Sequence, residues 1–317
     1  MKILVTGAGG FVGGYLLRLL KERGHETAAM GIGGEDSLKA MGVPAHRVDI
    51  LEPDAVKSCM ERFHPHGVIH LAAISNVAIS WKKPGLTADV NIRGTVNVLE
   101  ALHEVNPKAK FLSIGSSDEY GLAAKSGVPL KEETPCLPQN PYSISKYCAE
   151  QMVLQLGKEY GLPVIHTRSF NHFGPGQAKG FVTTDFASQI AAIERGEQAP
   201  VLKVGNLSAS RDFTFVADVV RAYALLVEQD VESGVYNICS GRARTMEDIL
   251  RELLTLSKVK IDVEPDPEHM RPSDVPFFIG DSGKLRRATG WEPCYDFHQG
   301  MKETLDYWRR IPSHTGI

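Results

Sequence analysis

Apolar runs and amphipathic stretches alternate along the first half of the chain, and this alternation predicts strands followed by helices. The predicted strands are residues 2–6, 26–30, 45–49, 67–73, 110–116 and 163–169, and the predicted helices are 11–23, 53–63, 86–105 and one that begins at Pro141. A rhythm of this kind lays parallel strands side by side with helices on both faces of the sheet. We therefore expect an α/β fold built on a doubly wound parallel sheet.

The alternation breaks after residue 169, where the glycines and proline of 171–177 predict a loop. Beyond it the pattern predicts helices 183–195 and 216–228, a strand at 235–239, and helices 246–257 and 297–309 separated by a proline-rich loop. We expect a larger domain of residues 1–168 plus about 213–240. A smaller mixed α/β lobe of about 169–212 plus 241–317 would then bind a substrate.

Length and charge narrow the range of functions. A chain of 317 residues with 43% hydrophobic content buries a large core, and its net charge of −3 comes from 35 basic and 38 acidic residues without long runs of either sign. That balance offers no electrostatic surface for nucleic acid or an anionic membrane. The first strand starts at Lys2 and no apolar run reaches the roughly 18 residues of a membrane span. We expect a cytoplasmic protein.

The cysteines are dispersed and odd in number, which argues against a disulfide framework or a zinc site. They are Cys59, Cys136, Cys148, Cys239 and Cys294, and no two of them have C-x-x-C spacing. The eleven histidines are also scattered. We expect reduced thiols and no metal site.

A glycine motif stands where the first strand meets the first helix. Gly7, Gly10 and Gly13 have the spacing that lets a chain turn tightly, approach a pyrophosphate with backbone N–H groups, and pack a helix close to a strand. The N–H groups of Phe11 and Val12 belong to the same helix start. The glycines alone would also make a simple tight turn, but the strand-to-helix context favours dinucleotide binding in a Rossmann domain.

Three further residues have the chemistry of a proton donor. Tyr142 and Lys146 are four residues apart on a predicted helix and share a face, so the ammonium is expected to lower the pKa of the phenol and to hold a cofactor ribose. Ser116 would bond the same substrate oxygen. For an isolated pair of this kind, a core tyrosine and a solvated lysine would be the favoured interpretation. However, Gly7, Ala72, Ser116 and the start of the Tyr142 helix all follow strands whose carboxyl ends meet at one crevice.

Together with His70-Leu-Ala-Ala73 and Asn91-Ile-Arg-Gly-Thr-Val-Asn97, these motifs resemble the extended short-chain dehydrogenase/reductase superfamily over essentially the whole chain. The second-half motifs at 168–177, 204–213 and 271–275 are similar to its GDP-sugar branch, which contains GDP-mannose 4,6-dehydratases and GDP-4-keto-6-deoxy-D-mannose reductases. The resemblance implies a homodimer formed through helices 86–105 and 142–160.

The resemblance also implies a nicotinamide cofactor, NADP or NAD, in its reduced form as hydride donor. Its further contacts would be Asp49, Ile50, Leu71, Ala72 and Ala73. Asp49 is equally well placed to cap a turn at a strand end. The second strand ends in 28–34 with neither a carboxylate for a ribose hydroxyl nor an arginine for a 2′-phosphate, which leaves the choice of cofactor open. Glu35 and Asp36 follow in what we predict to be a solvated loop.

Cationic residues in the second half suit a nucleoside diphosphate. Arg211 and Arg271 offer guanidinium groups and Lys203 a point charge. The resemblance adds Asn171 as a pyrophosphate ligand, Asp274 as a ribose ligand and Val182 as a substrate contact. Surface ion pairs for the arginines and a turn-capping role for Asn171 are the alternatives.

The segment Gly115-Ser-Ser-Asp-Glu-Tyr-Gly121 separates two reactions within this branch. Dehydratases there carry Thr-x-Glu, whereas Asp118 is one methylene shorter than that base, and Glu119 would point the opposite way on an extended segment. The pattern resembles the reductases and implies reduction of the C4 ketone of a GDP-linked 4-keto-6-deoxyhexose to GDP-D-rhamnose. Ser117 would be a second hydroxyl and Asp118 would bind a sugar hydroxyl. A dehydratase or epimerase, and a dinucleotide-sensing protein without catalysis, remain alternatives.

Overall fold

The computed structural model describes residues 1–266, 275 and 277–311. Its strands are β1 (Lys2–Thr6), β2 (Glu26–Gly31), β3 (Ala45–Arg47), β4 (Gly67–His70), β5 (Lys110–Ile114), β6 (Val164–Ser169), β7 (Asn171–Phe173), β8 (Val201–Val204), β9 (Ser210–Phe215), β10 (Gly234–Ile238), β11 (Ala243–Thr245), β12 (Asp262–Pro265) and β13 (Phe277–Phe278). Its α-helices are α1 (Phe11–Glu22), α2 (Glu35–Ala40), α3 (Pro53–Phe63), α4 (Val77–Lys82), α5 (Pro84–Ala88), α6 (Thr95–Val105), α7 (Pro141–Tyr160), α8 (Val182–Glu194), α9 (Val216–Glu228), α10 (Met246–Thr255), α11 (Gly283–Thr289) and α12 (Phe297–Arg310). Short 3₁₀ turns cover Ser117–Tyr120 and Leu122–Ser126.

Seven parallel strands form the main sheet in the order β10-β6-β5-β4-β1-β2-β3, which confirms the doubly wound Rossmann fold. The strand order reverses beside β1, and the crevice at such a switch point binds ligands. A smaller sheet has the order β11-β9-β13, with β7 also paired to β9, and β8 pairs with β12.

The main sheet is buried on both faces because alternate side chains of each strand enter different hydrophobic clusters. Ile3 of β1 packs in the cluster that contains α1 and α9, while its neighbour Leu4 packs in the cluster formed by α3, α6 and α7. The two layers of helices therefore fix the carboxyl ends of the strands, where the candidate residues lie. None of the helices among the described residues has both the length and the apolar character of a membrane span.

Several predicted loops are ordered elements. Part of 171–177 forms β7, whose partner β9 is about 40 residues away in the chain, so local sequence gives no sign of the pairing. The loop expected before α12 contains β12, β13 and α11. Glu35 and Asp36, predicted in a loop, open α2 instead. That helix follows Gly34, whose backbone is so close to the glycine turn that an added Cβ would lie 2.3 Å from the Gly9 Cα atom.

The predicted helix 86–105 begins earlier, at Pro84, and contains a wide π-helical turn at Asp89–Gly94 between α5 and α6. π-Turns inside helices often occur at functional sites because they redirect side chains. Here the turn contains the buried Asn91.

Candidate active site

The glycine motif forms a turn that fits a dinucleotide pyrophosphate. Gly7 has a φ of +64°, and a Cβ atom there would lie 2.7 Å from the Ala72 Cα atom. At Gly13 a Cβ atom would lie 2.1 Å from the Ala8 carbonyl oxygen, so only glycine lets α1 pack this close. No described side chain caps the start of α1 at Gly10, which leaves the first N–H groups of this helix directed at the crevice.

The ends of β1 and β4 are joined by side chains. The Ala72 N–H donates to Thr6 Oγ1 at 3.1 Å, and Thr6 Oγ1 is 2.8 Å from His70 Nδ1. Burial lowers the pKa of His70 to about 3, so this imidazole is neutral. The predicted cofactor contacts Leu71 and Ala73 flank Ala72 and are half-buried at this edge.

Asp49 and Ile50 follow β3. Asp49 is exposed and accepts a hydrogen bond from the Leu51 N–H at 3.0 Å, which is the turn that its position at a strand end allowed. The Ile50 side chain packs into the core against Gly94, and its carbonyl accepts from Asn97 Nδ2 at 2.8 Å. Ile50 therefore packs in the core and links the segment after β3 to the helix that contains Gly94 and Asn97.

Tyr142 and Lys146 lie on the buried face of α7, each 8% exposed. The helix begins with Asn140, whose side chain accepts from the Ser143 N–H, and with Pro141 in its first turn. This start places Tyr142 at the mouth of the crevice. Lys146 Nζ donates to the Ile114 carbonyl at the end of β5 at 2.7 Å, so α7 is fixed to the sheet by the lysine itself.

The electrostatics of this pair differ from the expectation. The pKa of Tyr142 is raised, first by burial and then by the Asp118 carboxylate, while hydrogen bonding with Ser116 opposes the rise. The net shift is therefore a rise and not the fall expected from Lys146, because burial of the phenol is the largest influence on its pKa. Burial also lowers the pKa of Lys146 to about 8, against the influence of Glu119.

Ser116 caps the 3₁₀ turn that follows β5. Its Oγ accepts from the Asp118 N–H at 3.2 Å, and its own N–H donates to Glu119 Oε1 at 2.7 Å. The Ser116 hydroxyl also interacts with the Tyr142 phenol, so the two side chains lie together at the crevice. The segment is a turn and not the extended strand that we predicted, yet Glu119 does point away from the crevice, since it is fully buried.

Asp118 and Arg211 interact across the crevice. Burial raises the pKa of the Asp118 carboxyl group, and the Arg211 guanidinium opposes this rise. Arg211 Nη1 also donates to the carbonyls of Ser210 and Val275 at 2.8 and 3.1 Å. The structure thus brings Arg211, a predicted ligand of the substrate diphosphate, beside the catalytic loop, residues 115–121. Ser117 is only 3% exposed, which does not suit the predicted contact with substrate.

The other predicted substrate residues lie on the smaller elements. Asn171 is exposed at the start of β7 and pairs with Phe213 of β9 in the smaller sheet. Val182 begins α8, and Lys203 is exposed on β8. No described contact links Lys203 to Ser116 or Tyr142. Arg271 and Asp274 lie outside the described residues.

Sequence reasoning assigned no role to Asn91. In the π-turn its side chain accepts from the Ile74 N–H at 2.8 Å, donates to the Ile74 carbonyl at 3.0 Å and donates to Ser145 Oγ at 2.9 Å. Ser145 in turn donates to the Tyr142 carbonyl. Asn91 therefore connects the loop after β4 to the helix that carries Tyr142. The signal in the sequence was the motif Asn91-Ile-Arg-Gly-Thr-Val-Asn97, which begins at this residue.

Comparisons with known proteins give a consistent picture. The protein-family model described as GDP-mannose 4,6 dehydratase matches residues 4–304. The chain is 36% identical to GDP-6-deoxy-D-mannose reductase of Pseudomonas aeruginosa, over 97% of each protein, and 30% identical to GDP-mannose 4,6 dehydratase 1 of Arabidopsis thaliana, over 96% of this chain and 88% of that one. Among solved structures it is similar to RMD from Pseudomonas aeruginosa complexed with NADPH, with a TM-score of 0.87 and 35% identity over 97% of this chain and 98% of the other.

Proposed function

The chain belongs to the GDP-mannose 4,6 dehydratase family, and from this premise we propose that it reduces the C4 ketone of GDP-4-keto-6-deoxy-D-mannose to GDP-D-rhamnose, using NADPH or NADH. The observation that carries the proposal is the catalytic loop. Ser116, Tyr142 and Lys146 meet at the edge of the parallel sheet, and Asp118 stands where a dehydratase has glutamate.

The reduced nicotinamide supplies the hydride. Tyr142 gives its phenolic proton to the oxygen of C4, and the raised pKa of Tyr142 keeps that proton in place until the alkoxide forms. Ser116 donates its hydroxyl proton as a hydrogen bond to the same oxygen and stabilises the developing charge. Lys146 holds the cofactor ribose, and its positive charge favours the phenolate that remains after proton transfer.

The substrate diphosphate would lie against Arg211, which is already near Asp118 and would form charge-assisted hydrogen bonds with phosphate oxygens. Asn171, Val182, Lys203, Arg271 and Asp274 complete the proposed substrate site. Asp118 would accept a hydrogen bond from a sugar hydroxyl, because the shorter side chain withdraws its carboxylate from C5.

The first test is a product analysis. Purified protein with GDP-4-keto-6-deoxy-D-mannose should consume NADPH or NADH in equimolar amount and form GDP-D-rhamnose, and parallel reactions with each cofactor establish the preference. A matched reaction with GDP-mannose should leave the cofactor and the sugar unchanged. Formation of the 4-keto sugar from GDP-mannose would identify a dehydratase and contradict the proposal, as would unchanged 4-keto sugar with both cofactors.

We also infer a homodimer in the cytoplasm. Large apolar side chains are exposed on α4, the first turn of α5 and α7, including Trp81 at 63% and Ile144 at 46%. Exposed apolar surface of this kind favours a protein interface. The five cysteines are free thiols, which suits a reducing compartment.

A further inference from the structure

A buried group of ionisable side chains lies directly beneath the catalytic loop. It contains Glu119, Glu150, His166 and Arg168, of which the two carboxylates and the imidazole are at most 1% exposed. The proposed reaction assigns no role to these residues. Buried charges are costly, and a group that remains buried beside an active site calls for a specific explanation.

The charges in this group are unevenly shared. Arg168 makes two hydrogen bonds to Glu150, at 2.8 and 2.7 Å, so its guanidinium group forms an ion pair with that carboxylate. Its nearest approach to Glu119 is 3.6 Å, and Glu119 Oε2 has no hydrogen-bond partner among the described residues. His166 is neutral, because burial lowers its pKa to about 3. Glu119 also interacts with the Glu150 carboxyl group, and when ionised it carries a negative charge that Arg168 approaches only to 3.6 Å.

Glu119 instead reaches the catalytic residues. Its Oε1 accepts from the Ser116 N–H at 2.7 Å and lies 3.2 Å from His166 Nε2, while His166 Nδ1 is 3.1 Å from Ser113 Oγ. The space for this contact depends on Gly115, where an added Cβ would lie 2.4 Å from Glu119 Oε1. One carboxylate oxygen of Glu119 thus holds the Ser116 amide of the catalytic loop by a hydrogen bond.

The groups facing Glu119 come from two elements besides its own turn. From β6 they are His166 and Arg168, and from α7 they are Tyr142, Lys146 and Glu150. Among these, Lys146 is the cation that the mechanism uses. Glu119 raises the pKa of Lys146, and Lys146 lowers that of Glu119, which burial brings to about 7.

We propose that Glu119 is a positioning residue of the proposed reductase: its carboxylate holds the Ser116 amide in place and supplies the negative charge that keeps Lys146 an ammonium. The inference rests on the proposed function. The pKa of Glu119, raised by burial to about 7, lies below that of Lys146, lowered by burial to about 8, so the carboxylate and the ammonium coexist near these pH values.

The test removes the charge of Glu119 and keeps the shape of its side chain. Glu119→Gln retains an oxygen that accepts from the Ser116 N–H but carries no charge, and Glu159→Gln, an exposed carboxylate on α7, is the matched control. The titration of Lys146 is followed by NMR of lysine labelled with ¹³C at Cε, and Lys146→Arg assigns its signal. We expect the midpoint of Lys146 to fall by about one pH unit in Glu119→Gln and to stay unchanged in the control.

In the same variant, kcat should decline at a pH about one unit lower than in the wild type, with KM changed less than about twofold. A Lys146 midpoint and a pH profile that both match the wild type would overturn the proposal.

If Glu119→Gln does not fold, Glu119→Asp tests the same point. It keeps the charge but withdraws it by one methylene, so the midpoint should fall by less than one unit, and no fall at all would overturn the proposal. The NMR titration needs no substrate, so it judges Glu119 even if the wild-type protein fails to reduce the 4-keto sugar.

Discussion

At the scale of single residues, the site depends on a phenol that stays protonated in the free enzyme. Burial raises the pKa of Tyr142, and the nearby carboxylate of Asp118 adds to this effect. Lys146 Nζ donates to the Ile114 carbonyl at the end of β5. A raised pKa favours the protonated phenol, which is the form that a proton donor requires.

Tyr142→Phe removes the proton donor and leaves the ring that packs against the sheet. We expect kcat to fall by roughly 10²–10⁴-fold with little change in cofactor binding. Tyr147→Phe, on the same helix but outside the crevice, is the control and should retain full activity. Steady-state kinetics and fluorescence titration with NADPH measure both effects. A Tyr142→Phe enzyme with wild-type kcat would mean that another group donates the proton.

The raised pKa of Glu119 also affects stability. A carboxyl group with a pKa of about 7 in the folded protein and 4.5 as its ordinary value stabilises the fold when protonated, and this contribution is lost as the pH rises through about 7. The stability of the wild type relative to Glu119→Gln should therefore decrease between pH 4.5 and pH 7 and then level off. Urea unfolding at pH 5 and pH 8 measures this, with Glu61→Gln as an exposed control. A pH-independent difference would mean that Glu119 does not titrate in the fold.

Residues whose chemistry is visible in a short motif could be predicted from the sequence, whereas those whose role depends on folding could not. Ser116, Tyr142 and Lys146 have chemistry that is visible in short motifs, and the structure gathers them. Glu119 was set aside because the segment was taken to be extended, whereas a 3₁₀ turn capped by Ser116 brings the carboxylate beneath the loop. The direction of the Tyr142 pKa depends on burial, which the chain reveals only after folding.

At the scale of elements, the longer strands and helices of the first half agree with the hydrophobic pattern because they are periodic. The short β3 and β4 end earlier than predicted, and the six-residue helices α2 and α4 were not predicted. The strands around β9 were missed for the opposite reason. β7, β11 and β13 have two or three residues each and exist only through pairing with β9. The π-turn at Asp89–Gly94 was also missed, since its apolar residues continue the periodicity of the helix around it.

The close contact of α1 with the glycine turn can be tested with two neighbouring glycines. An added Cβ at Gly13 would lie 2.1 Å from the Ala8 carbonyl oxygen, whereas at Gly14 it would have nothing within 4 Å. Gly13→Ala should destabilise the protein by about 1–3 kcal/mol and weaken NADPH binding. Gly14→Ala should stabilise it by about 1 kcal/mol, because alanine is the better helix former. Thermal unfolding and NADPH titration measure both; equal effects of the two variants would contradict this account.

At the scale of the whole molecule, alternation of strands and helices was sufficient to predict the main sheet. The division into two lobes remains a proposal. The strand pairing supports it, because β8 and β9 belong to smaller sheets whereas β10, which follows them in the chain, belongs to the main sheet.

The proposed dimer makes a separate prediction. Ile144 and Met152 on α7 are 46% and 42% exposed, and their joint replacement by glutamate should convert a dimer into a monomer. Val128→Glu, at an apolar residue that is 59% exposed outside these helices, should leave the dimer intact. Sedimentation velocity distinguishes the species. A wild-type protein that sediments as a monomer would show that this apolar surface has another use.

Tyr142 and Lys146 lie on α7, which packs on the main sheet, and Ser116 follows β5 of that sheet, whereas Asn171 and Arg211 lie on the smaller sheet. This separation has an evolutionary meaning. We expect substitutions in the smaller sheet to alter which nucleotide and sugar bind, except at Arg211, which interacts with Asp118 and so also influences the catalytic loop. Relatives with different activities on one scaffold are the expected outcome, and exchanging the β7 and β9 segments between them is a rational route to new sugar specificities.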